Sequence, residues 1–470
     1  MTEQSVLHVV NPATGAPITS LPAATAEQVA EAAVHAQEVF DSGVWSALPP
    51  RERAAVLLRL ADLMERDAET LARLDCEDAG KPITECRTND VPSAIESVRW
   101  FAEAADKLYG RVAPTGSDAL GLMSREPIGV VAAIVPWNYP LAMAAWKIGP
   151  ALAAGNSLLL KPAEATPRSA LHLAALATEA GVPEGVLTVL PGYGAVAGAA
   201  LARSPLVGAL SFTGSTATGR RILTDAAETN FKRVSLEMGG KSPQILMGDA
   251  LGFGDELIEN IIEAAFLTMG QNCTAGSRVL VHWNIADTVV DRLVAAARDL
   301  TIGDPALPGT RIGPLINRAA LERVAGAVDS ARAAGARVLT GGAPVDIHPG
   351  GLYYPPTVVT NAPEGSEVLT RELFGPVVTV QVFDSEDEAV LLANATDYGL
   401  AASLWTRDID CALRLARRVQ AGVVSVNSYS EGDISTPFGG WKQSGFGGAE
   451  KSTAAFEHWT REKTVWIRTR

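Results

Sequence analysis

Short apolar runs alternate with helical patterns from residue 129 onward, and this alternation constrains the fold more than any other feature. The pattern predicts strands at 129–135, 157–160, 186–190, 207–212 and 233–237, with helices at 141–154, 167–180, 195–202 and 216–228. Such βαβα alternation predicts a mostly parallel sheet with helices on both faces, and therefore an α/β fold. A second α/β series runs from about 240 to 427, and it includes a helix at 255–269.

The N-terminal hundred residues read as helical. Thr25 and Gln28 have the spacing of a capping box that opens a helix toward Phe40. A second helix is predicted over 51–79 and a third over 100–108, and Gly80 is placed to end the second.

Composition and charge exclude several classes of partner. The chain has 470 residues, enough for two or three domains, and its formal net charge is −14. An acidic surface argues against nucleic acid and anionic membranes, both of which require basic surface. No apolar run approaches the roughly 20 residues of a membrane span, and residues 1–8 do not read as a secretory signal. We therefore expect a cytoplasmic protein that binds neither nucleic acid nor membrane.

Cys273 stands apart from the other three cysteines. Cys76, Cys86 and Cys411 fall on helical stretches among apolar residues, where a cysteine is usually a small buried side chain. Cys273 lies in G-Q-N-C-T-A-G, where small neighbours leave the sulfur open to a substrate. The four cysteines show no metal-ligand spacing, so no metal site is predicted.

Glu237 is the candidate base. It ends an apolar run and precedes Gly239 and Gly240 in L-E-M-G-G-K-S-P. A carboxylate at the carboxyl end of a strand, followed by glycines that allow close backbone approach, fits a base facing a ligand. The alternative is an ordinary surface carboxylate.

Two further segments follow predicted strands and suggest a nucleotide site. The segment 212–219, F-T-G-S-T-A-T-G, leads from a strand into a helix N-terminus, which favours a pyrophosphate. Lys161 and Glu164 follow another strand, and a carboxylate there can accept hydrogen bonds from both ribose hydroxyls while repelling a 2′-phosphate. This favours NAD over NADP, although the two side chains also fit an ordinary solvated charge pair. Asn138, between two aromatic residues at a strand end, is suited to donate to a developing oxyanion.

Seven segments together resemble the aldehyde dehydrogenase superfamily. They read I-V-P-W-N-Y-P, K-P-A-E, F-T-G-S-T-A-T-G, L-E-M-G-G-K-S-P, G-Q-N-C-T-A-G-S-R, E-L-F-G-P and P-F-G-G-W-K-Q-S-G. Each is modest evidence alone, but seven in the family's order, over essentially the whole chain, are highly specific. The resemblance implies a Rossmann-like parallel-sheet cofactor domain, a second α/β catalytic domain and a small β extension for oligomerisation.

The resemblance implies a role for each matching residue. Cys273 would be the nucleophile and Glu237 the base that activates water, while Asn138 and the Cys273 N–H would bind the oxyanion and Lys147 would assist proton relay. The residues implied to bind the cofactor NAD are Trp137, Lys161, Glu164, Gly194, Gly214, Ser215, Gly219, Glu372 and Phe374.

Within the superfamily the chain looks most similar to enzymes that oxidise ω-amino aldehydes, including the γ-glutamyl-aminobutyraldehyde and betaine aldehyde groups. R-W-F-A-E-A-A-D-K-L-Y-G and E-G-D-I-S-T-P-F-G-G carry that likeness. Tyr139 and Trp146 could present aromatic faces to a cation, and Asp433 could add a carboxylate at the tunnel mouth. The two rings equally fit an apolar tunnel for any aldehyde. A CoA-acylating relative and a non-catalytic scaffold protein are further alternatives, which Glu237 and the complete reactive set disfavour.

The resemblance also implies domain boundaries and a homodimer or homotetramer. The implied boundaries are 1–108 and 128–239 for the NAD-binding domain, 240–435 for the catalytic domain, 109–127 and 455–470 for oligomerisation, and 436–454 for a bridging segment. The extended pieces 119–127 and 464–469 have little to bury against locally, and we expect each to pair with a distant segment, another subunit included.

Three departures from the family pattern concern the two ends of the chain. The chain starts later than many relatives, so the hairpin that opens those relatives is expected to be missing. Trp441 stands where tyrosine is usual, and Gly445–Glu450 lacks an arginine common in relatives. These departures leave open the C-terminal wall of the substrate tunnel and any proton relay there.

Overall fold

A computed structural model describes residues 6–469. Residues 1–5 and 470, which fall in the predicted NAD-binding and oligomerisation segments, lie outside the described range. Within that range the α/β class is confirmed, since two mostly parallel sheets are flanked by helices and a third, antiparallel sheet lies apart from them. No helix among the described residues is long and apolar enough to cross a membrane.

The first sheet contains the five strands predicted between residues 129 and 237. Its strands, in spatial order, are Gly445–Phe446, Arg233–Glu237, Ala209–Thr213, Val130–Ile134, Ser157–Lys161 and Leu187–Val189. All neighbours are parallel except Gly445–Phe446. The chain order reverses between Val130–Ile134 and Ala209–Thr213, and a crevice at such a switch point is where open α/β sheets bind ligands.

Helices cover both faces of this sheet. They are Ala26–Ser42, Pro50–Arg66, Ala68–Ala79, Ile83–Glu85, Val91–Ala104, Pro140–Ala153, Arg168–Ala180, Ala199–Arg203 and Thr216–Ala227, with π-helical turns at Cys86–Asp90 and Gly194–Gly198. The predicted capping box at Thr25 is present, and Gly80 ends its helix in the left-handed conformation (φ 70°). The prediction of one helix over 51–79 is wrong, because the chain leaves helical geometry at Asp67 and starts a new helix.

The second sheet forms the other large layer. Its strands are Arg337–Thr340, Thr357–Thr360, Val377–Phe383, Arg278–His282, Pro243–Leu246, Ala401–Trp405 and Val423–Val426 in spatial order, and only Arg337–Thr340 is antiparallel. Its helices are Asp255–Phe266, Ala286–Asp299, Arg318–Ala333, Glu367–Thr370, Glu386–Asn394 and Ile409–Ala416. The predicted helix 255–269 ends early, because Thr268 and Met269 are left-handed (φ 52° and 57°). This turn leads the chain toward Cys273.

The third sheet pairs the two extended segments with each other. Thr460–Arg468 runs antiparallel to Ala119–Pro127, which also pairs with Arg111–Ala113. The expected pairing with a distant segment is therefore confirmed within the chain itself. Large apolar side chains stay exposed on this sheet, namely Val112, Leu120, Val465, Trp466 and Ile467.

Three small elements complete the described chain. A hairpin joins Val6–Val10 to Pro17–Pro22. Tyr398–Gly399 pairs with Trp441–Lys442, and a short helix spans Ala455–Trp459.

Candidate active site

A cavity of about 360 Å³ lies at the switch point of the first sheet and reaches the loop of Cys273. Its wall includes three candidates for chemistry, Cys273, Glu237 and Asn138. Of the other predicted site residues, the wall includes Trp137, Tyr139, Trp146, Gly214, Ser215, Glu372 and Phe374. The fold therefore gathers residues from Trp137 to Phe374, and from both α/β series, into one site.

The loop of Cys273 is held by hydrogen bonds from its neighbours. The Asn272 side chain donates to the Tyr429 hydroxyl at 2.9 Å and accepts from the Thr274 N–H at 3.3 Å. A Cβ on Gly240 would lie 2.3 Å from the Cys273 carbonyl oxygen, so only glycine permits this approach. Cys273 itself is partly exposed to the cavity.

Burial keeps the Cys273 sulfur protonated in the free protein. Its pKa is raised well above the ordinary thiol value, first by burial and then by the negative charges of Glu431, Glu372 and Glu237. Attack on an aldehyde therefore requires removal of this proton within the site.

Asn138 follows the strand Val130–Ile134 and is buried beside the loop of Cys273. Its Nδ2 donates to the Gln271 carbonyl at 2.9 Å. A carboxamide has two N–H groups, so this bond fixes the orientation of the group and leaves one N–H for a substrate oxygen. That arrangement is the one an oxyanion donor requires.

Glu237 ends the strand Arg233–Glu237 and is buried at the cavity wall. Burial raises its pKa well above the ordinary value and the negative charge of Glu450 adds to this, while Lys147 and the Gly440 N–H oppose it. The carboxyl group therefore holds a proton readily, as a group that exchanges protons with water during catalysis must.

Lys147 forms a buried ion pair close enough to Glu237 to act on its pKa. Its Nζ lies 2.5 Å from Glu450 Oε1, and the Ser211 hydroxyl donates to the same oxygen at 3.0 Å. Glu450 lines the cavity, whereas Lys147 is fully buried. The pair thus links the interior of the first sheet to the cavity.

Lys161, Glu164 and Gly194 form a second cluster, outside the cavity wall. Lys161 Nζ lies 3.5 Å from Glu164 Oε1, and the Gly194 N–H donates to the same carboxylate. The Lys161 side chain is 2% exposed and that of Glu164 41%, so this is not an ordinary solvated pair. A half-exposed carboxylate held in this way is suited to accept hydrogen bonds from a ribose.

The segment 212–219 forms the predicted strand-to-helix turn. Ser215 caps the helix Thr216–Ala227 and accepts from the Thr218 N–H at 3.3 Å. Gly219 is buried inside that helix, where a Cβ would lie 2.7 Å from the Met238 sulfur. The structure therefore places Gly219 where it allows close helix–sheet packing, away from the cavity wall.

Glu372 and Phe374 reach the cavity from the second half of the chain. The Glu372 carboxylate accepts from the Gly240 N–H at 3.0 Å, and burial raises its pKa to about 7. Phe374 adopts a left-handed backbone (φ 54°) and meets Trp137 edge to face at 5.3 Å between ring centroids. These contacts build the cavity from both halves of the chain.

The predicted aromatic side chains already face resident cations. Lys81 Nζ lies 3.5 Å from the Tyr139 ring centroid, and Lys451 Nζ lies 5.2 Å from that of Trp146. Asp433 is exposed and does not line the cavity, whereas Glu431 does.

Sequence and structure comparisons agree with this geometry. A model of the aldehyde dehydrogenase family matches residues 1–465. The chain belongs to the aldehyde dehydrogenase family. It is 48% identical to an aminoacetaldehyde dehydrogenase of Pseudomonas aeruginosa over 97% of this chain and 91% of the relative. It is 44% identical to an NADP/NAD-dependent aldehyde dehydrogenase of Escherichia coli over 99% of this chain and 93% of the relative.

Solved structures of aldehyde dehydrogenases superpose closely on the chain. A γ-glutamyl-γ-aminobutyraldehyde dehydrogenase from Burkholderia cenocepacia gives a TM-score of 0.96 at 47% identity, covering 99% of this chain and 94% of that one. An indole-3-acetaldehyde dehydrogenase of P. syringae in complex with NAD+ gives 0.97 at 42% identity, with the same coverage. The predicted family, fold and enzyme class are confirmed, and the expected cofactor agrees with this complex.

Two acidic residues of this aldehyde dehydrogenase site were missed by the sequence analysis. Glu450 lies in the altered segment Gly445–Glu450, and no local pattern there indicates that its side chain pairs with Lys147. Glu431 is two residues from Asp433, and from the sequence alone either residue could supply the carboxylate at the tunnel mouth. Only the direction of each side chain separates the two.

Proposed function

We propose that the enzyme oxidises an ω-amino aldehyde, or a related aliphatic aldehyde, to the acid with NAD. One observation supports this substrate class above others: Glu431 lines the cavity of Cys273, to which Met143, Trp146 and Phe438 contribute an apolar and aromatic wall. A carboxylate in such surroundings attracts an ammonium group strongly, since little water screens it. The names of the Pseudomonas and Burkholderia relatives point to the same class.

Glu431 is the group we propose to meet the amino end. The Thr274 hydroxyl donates to its carboxylate, and Lys451 Nζ donates to the Glu431 and Gly432 carbonyls at 2.8 and 3.1 Å. Lys451 therefore fixes the backbone of this loop and leaves the carboxylate to the cavity. The rings of Tyr139 and Trp146 already contact lysines, which makes them weaker candidates for the role.

The catalytic steps follow from the chain's own residues. Cys273 attacks the aldehyde carbon, its proton leaving to a base in the site, and the second N–H of Asn138 stabilises the oxyanion of the thiohemiacetal. After the carbon is oxidised, Glu237 accepts a proton from water, which attacks the thioester and releases the acid. Lys147 and Glu450 adjust the proton affinity of Glu237 during this step.

The residues present fit a dinucleotide. Gly214 and Ser215 precede the helix Thr216–Ala227, whose free N–H groups favour a pyrophosphate, and the Lys161–Glu164 pair offers a carboxylate to a ribose. Bound NAD supplies the acceptor for the hydride. The proposed NAD preference rests on Glu164, which would repel a 2′-phosphate.

The experiment that tests the proposal compares kcat/KM for 4-aminobutyraldehyde, γ-glutamyl-aminobutyraldehyde, betaine aldehyde and hexanal, with NAD and with NADP. We expect 4-aminobutyraldehyde to be preferred over hexanal, and Glu431→Gln to reduce that preference about tenfold. A strong preference for hexanal in the unmodified enzyme would reject the amino-aldehyde assignment in favour of an apolar tunnel. Acyl-CoA formation on addition of CoA would instead identify a CoA-acylating enzyme.

We also propose the domain division implied by the family, with 1–108 and 128–239 binding NAD, 240–435 carrying the nucleophile and 436–454 bridging them. The third sheet, which contains most of 109–127 and 455–470, would join subunits into a homodimer or homotetramer. Its exposed Val465, Trp466 and Ile467 support this, because a monomer rarely leaves such a group in water. A cytoplasmic location fits the need for a reduced Cys273.

A further inference from the structure

A buried charged cluster lies beneath the active-site loop, on the segment that joins the helices Ala68–Ala79 and Val91–Ala104. Lys81 is fully buried, and its Nζ lies 2.5 Å from Asp90 Oδ2. Glu85 also points inward from this segment. None of these three residues lines the cavity.

The cluster contacts both halves of the catalytic centre. Lys81 Nζ covers the Tyr139 ring at 3.5 Å from its centroid, and Tyr139 is the residue after Asn138. Glu85 accepts from the N–H and hydroxyl of Thr268 at 3.1 and 3.2 Å. The Thr268 hydroxyl donates to the Tyr139 hydroxyl at 3.2 Å, so the contact of Lys81 and the contact of Glu85 are joined to each other.

The contact at Thr268 supports a strained turn. Thr268 and Met269 both have left-handed backbones (φ 52° and 57°), which cost free energy in residues other than glycine. The turn leads directly to Gln271, whose carbonyl accepts the Asn138 amide at 2.9 Å. The cluster thus supports Asn138, the donor of that hydrogen bond, through Tyr139, and it supports Gln271, the acceptor, through Thr268.

Lys81 remains charged in these surroundings. Burial acts to lower its pKa, but the negative charges of Asp90 and Glu85 outweigh burial and the pKa is raised. The ammonium over the Tyr139 ring is therefore a desolvated cation–π contact, the stronger kind.

We propose that Lys81 is a positioning residue for the oxyanion-binding amide of Asn138, acting through the face of the Tyr139 ring. The same contact occupies that ring face, so a substrate ammonium is directed to Glu431. This inference rests on the proposed role of Asn138 as the oxyanion donor. It assigns Lys81 no contact with the substrate.

The test is a double-mutant cycle between the cluster and Asn138. The variant Lys81→Met with Asp90→Asn removes both charges together, because either charge left alone in a buried site would destabilise the protein. We expect the single-turnover rate of NADH formation from propanal to fall about tenfold, with thioester hydrolysis and the KM for NAD unchanged. In an Asn138→Ala background the same pair of changes should cause no further loss.

Three outcomes would overturn the inference or its premise, and they differ. An equal loss in both backgrounds would mean that Lys81 acts only on general stability, and no loss in either would mean that the contact is unimportant. An Asn138→Ala enzyme with unchanged NADH formation would reject the proposed oxyanion donor itself.

Two further variants complete the double-mutant cycle, one as a control and one as a replacement for the paired variant. Arg87→Gln is the control, since it removes an exposed charge from the same segment, leaves the Lys81–Asp90 pair intact and should preserve the rate. If the paired variant does not fold, Tyr139→Leu removes the ring face from the other side, and its loss should likewise vanish in the Asn138→Ala background.

Discussion

Lys147 and Glu450 form an ion pair of 2.5 Å in a site where their side chains are 0% and 3% exposed. Lys147 lies on the helix Pro140–Ala153, while Glu450 arrives from the other end of the chain, 303 residues away. Both charges act on Glu237, whose pKa Glu450 raises and Lys147 lowers. The pair therefore sets how readily the proposed base gives up its proton.

Glu450→Gln is expected to make Glu237 more acidic. The change removes the negative charge that raises the pKa of Glu237 and leaves the positive charge of Lys147, so the base ionises at lower pH. The acid limb of the kcat profile, measured where thioester hydrolysis limits turnover, should move down by about one pH unit. Glu450→Asp keeps the charge and serves as control. An unmoved limb would show that Glu237 does not respond to the pair.

Cys273→Ala should abolish NADH formation, because the other described cysteines are buried away from the cavity.

Glu237→Gln should still give a burst of NADH but slow steady turnover on the order of 10²- to 10⁴-fold, as loss of a general base does. Stopped-flow absorbance separates the two phases. Mass spectrometry of the quenched Glu237→Gln enzyme should find the acyl group on the peptide that contains Cys273. Full steady-state turnover by that variant would exclude Glu237 as the base.

Glu431→Gln should make Cys273 more reactive at low pH. The negative charge of Glu431 is the largest contribution after burial that raises the pKa of Cys273, so its removal favours the thiolate. The pH dependence of alkylation by iodoacetamide should therefore shift to lower pH. Asp433→Asn is the matched control, since Asp433 is exposed and outside the cavity wall. Identical profiles for the Glu431→Gln and unmodified enzymes would contradict this electrostatic coupling.

Glu164→Gln should weaken discrimination against NADP. The substitution keeps a hydrogen-bond acceptor for the Gly194 N–H but removes the charge that would repel a 2′-phosphate. We expect the ratio of kcat/KM for NADP to that for NAD to rise about tenfold. Glu179→Gln, on an exposed carboxylate elsewhere, controls for net charge. A constant ratio would mean that another group selects the cofactor.

The strands of the first sheet and the residues after them could be predicted because those signals are local. A run such as Val130–Ile134 is apolar on both faces, which is typical of a buried parallel strand. Asn138 and Gly214 follow two such strands, so their meeting at one sheet edge follows from topology. The break at Asp67 and the early end of the helix at Phe266 could not be predicted from periodicity, which continues across both.

The sequence by itself determined the fold class and the family and singled out Cys273, Glu237 and Asn138 as candidate site residues, because these depend on short segments in a fixed order. Only the tertiary structure decided that Glu450 partners Lys147, that Glu431 rather than Asp433 faces the cavity, and that Lys81 covers Tyr139. Each of these depends on where a side chain points after distant segments have packed. Buried charges must find partners, and those partners lie close in space without being close in sequence.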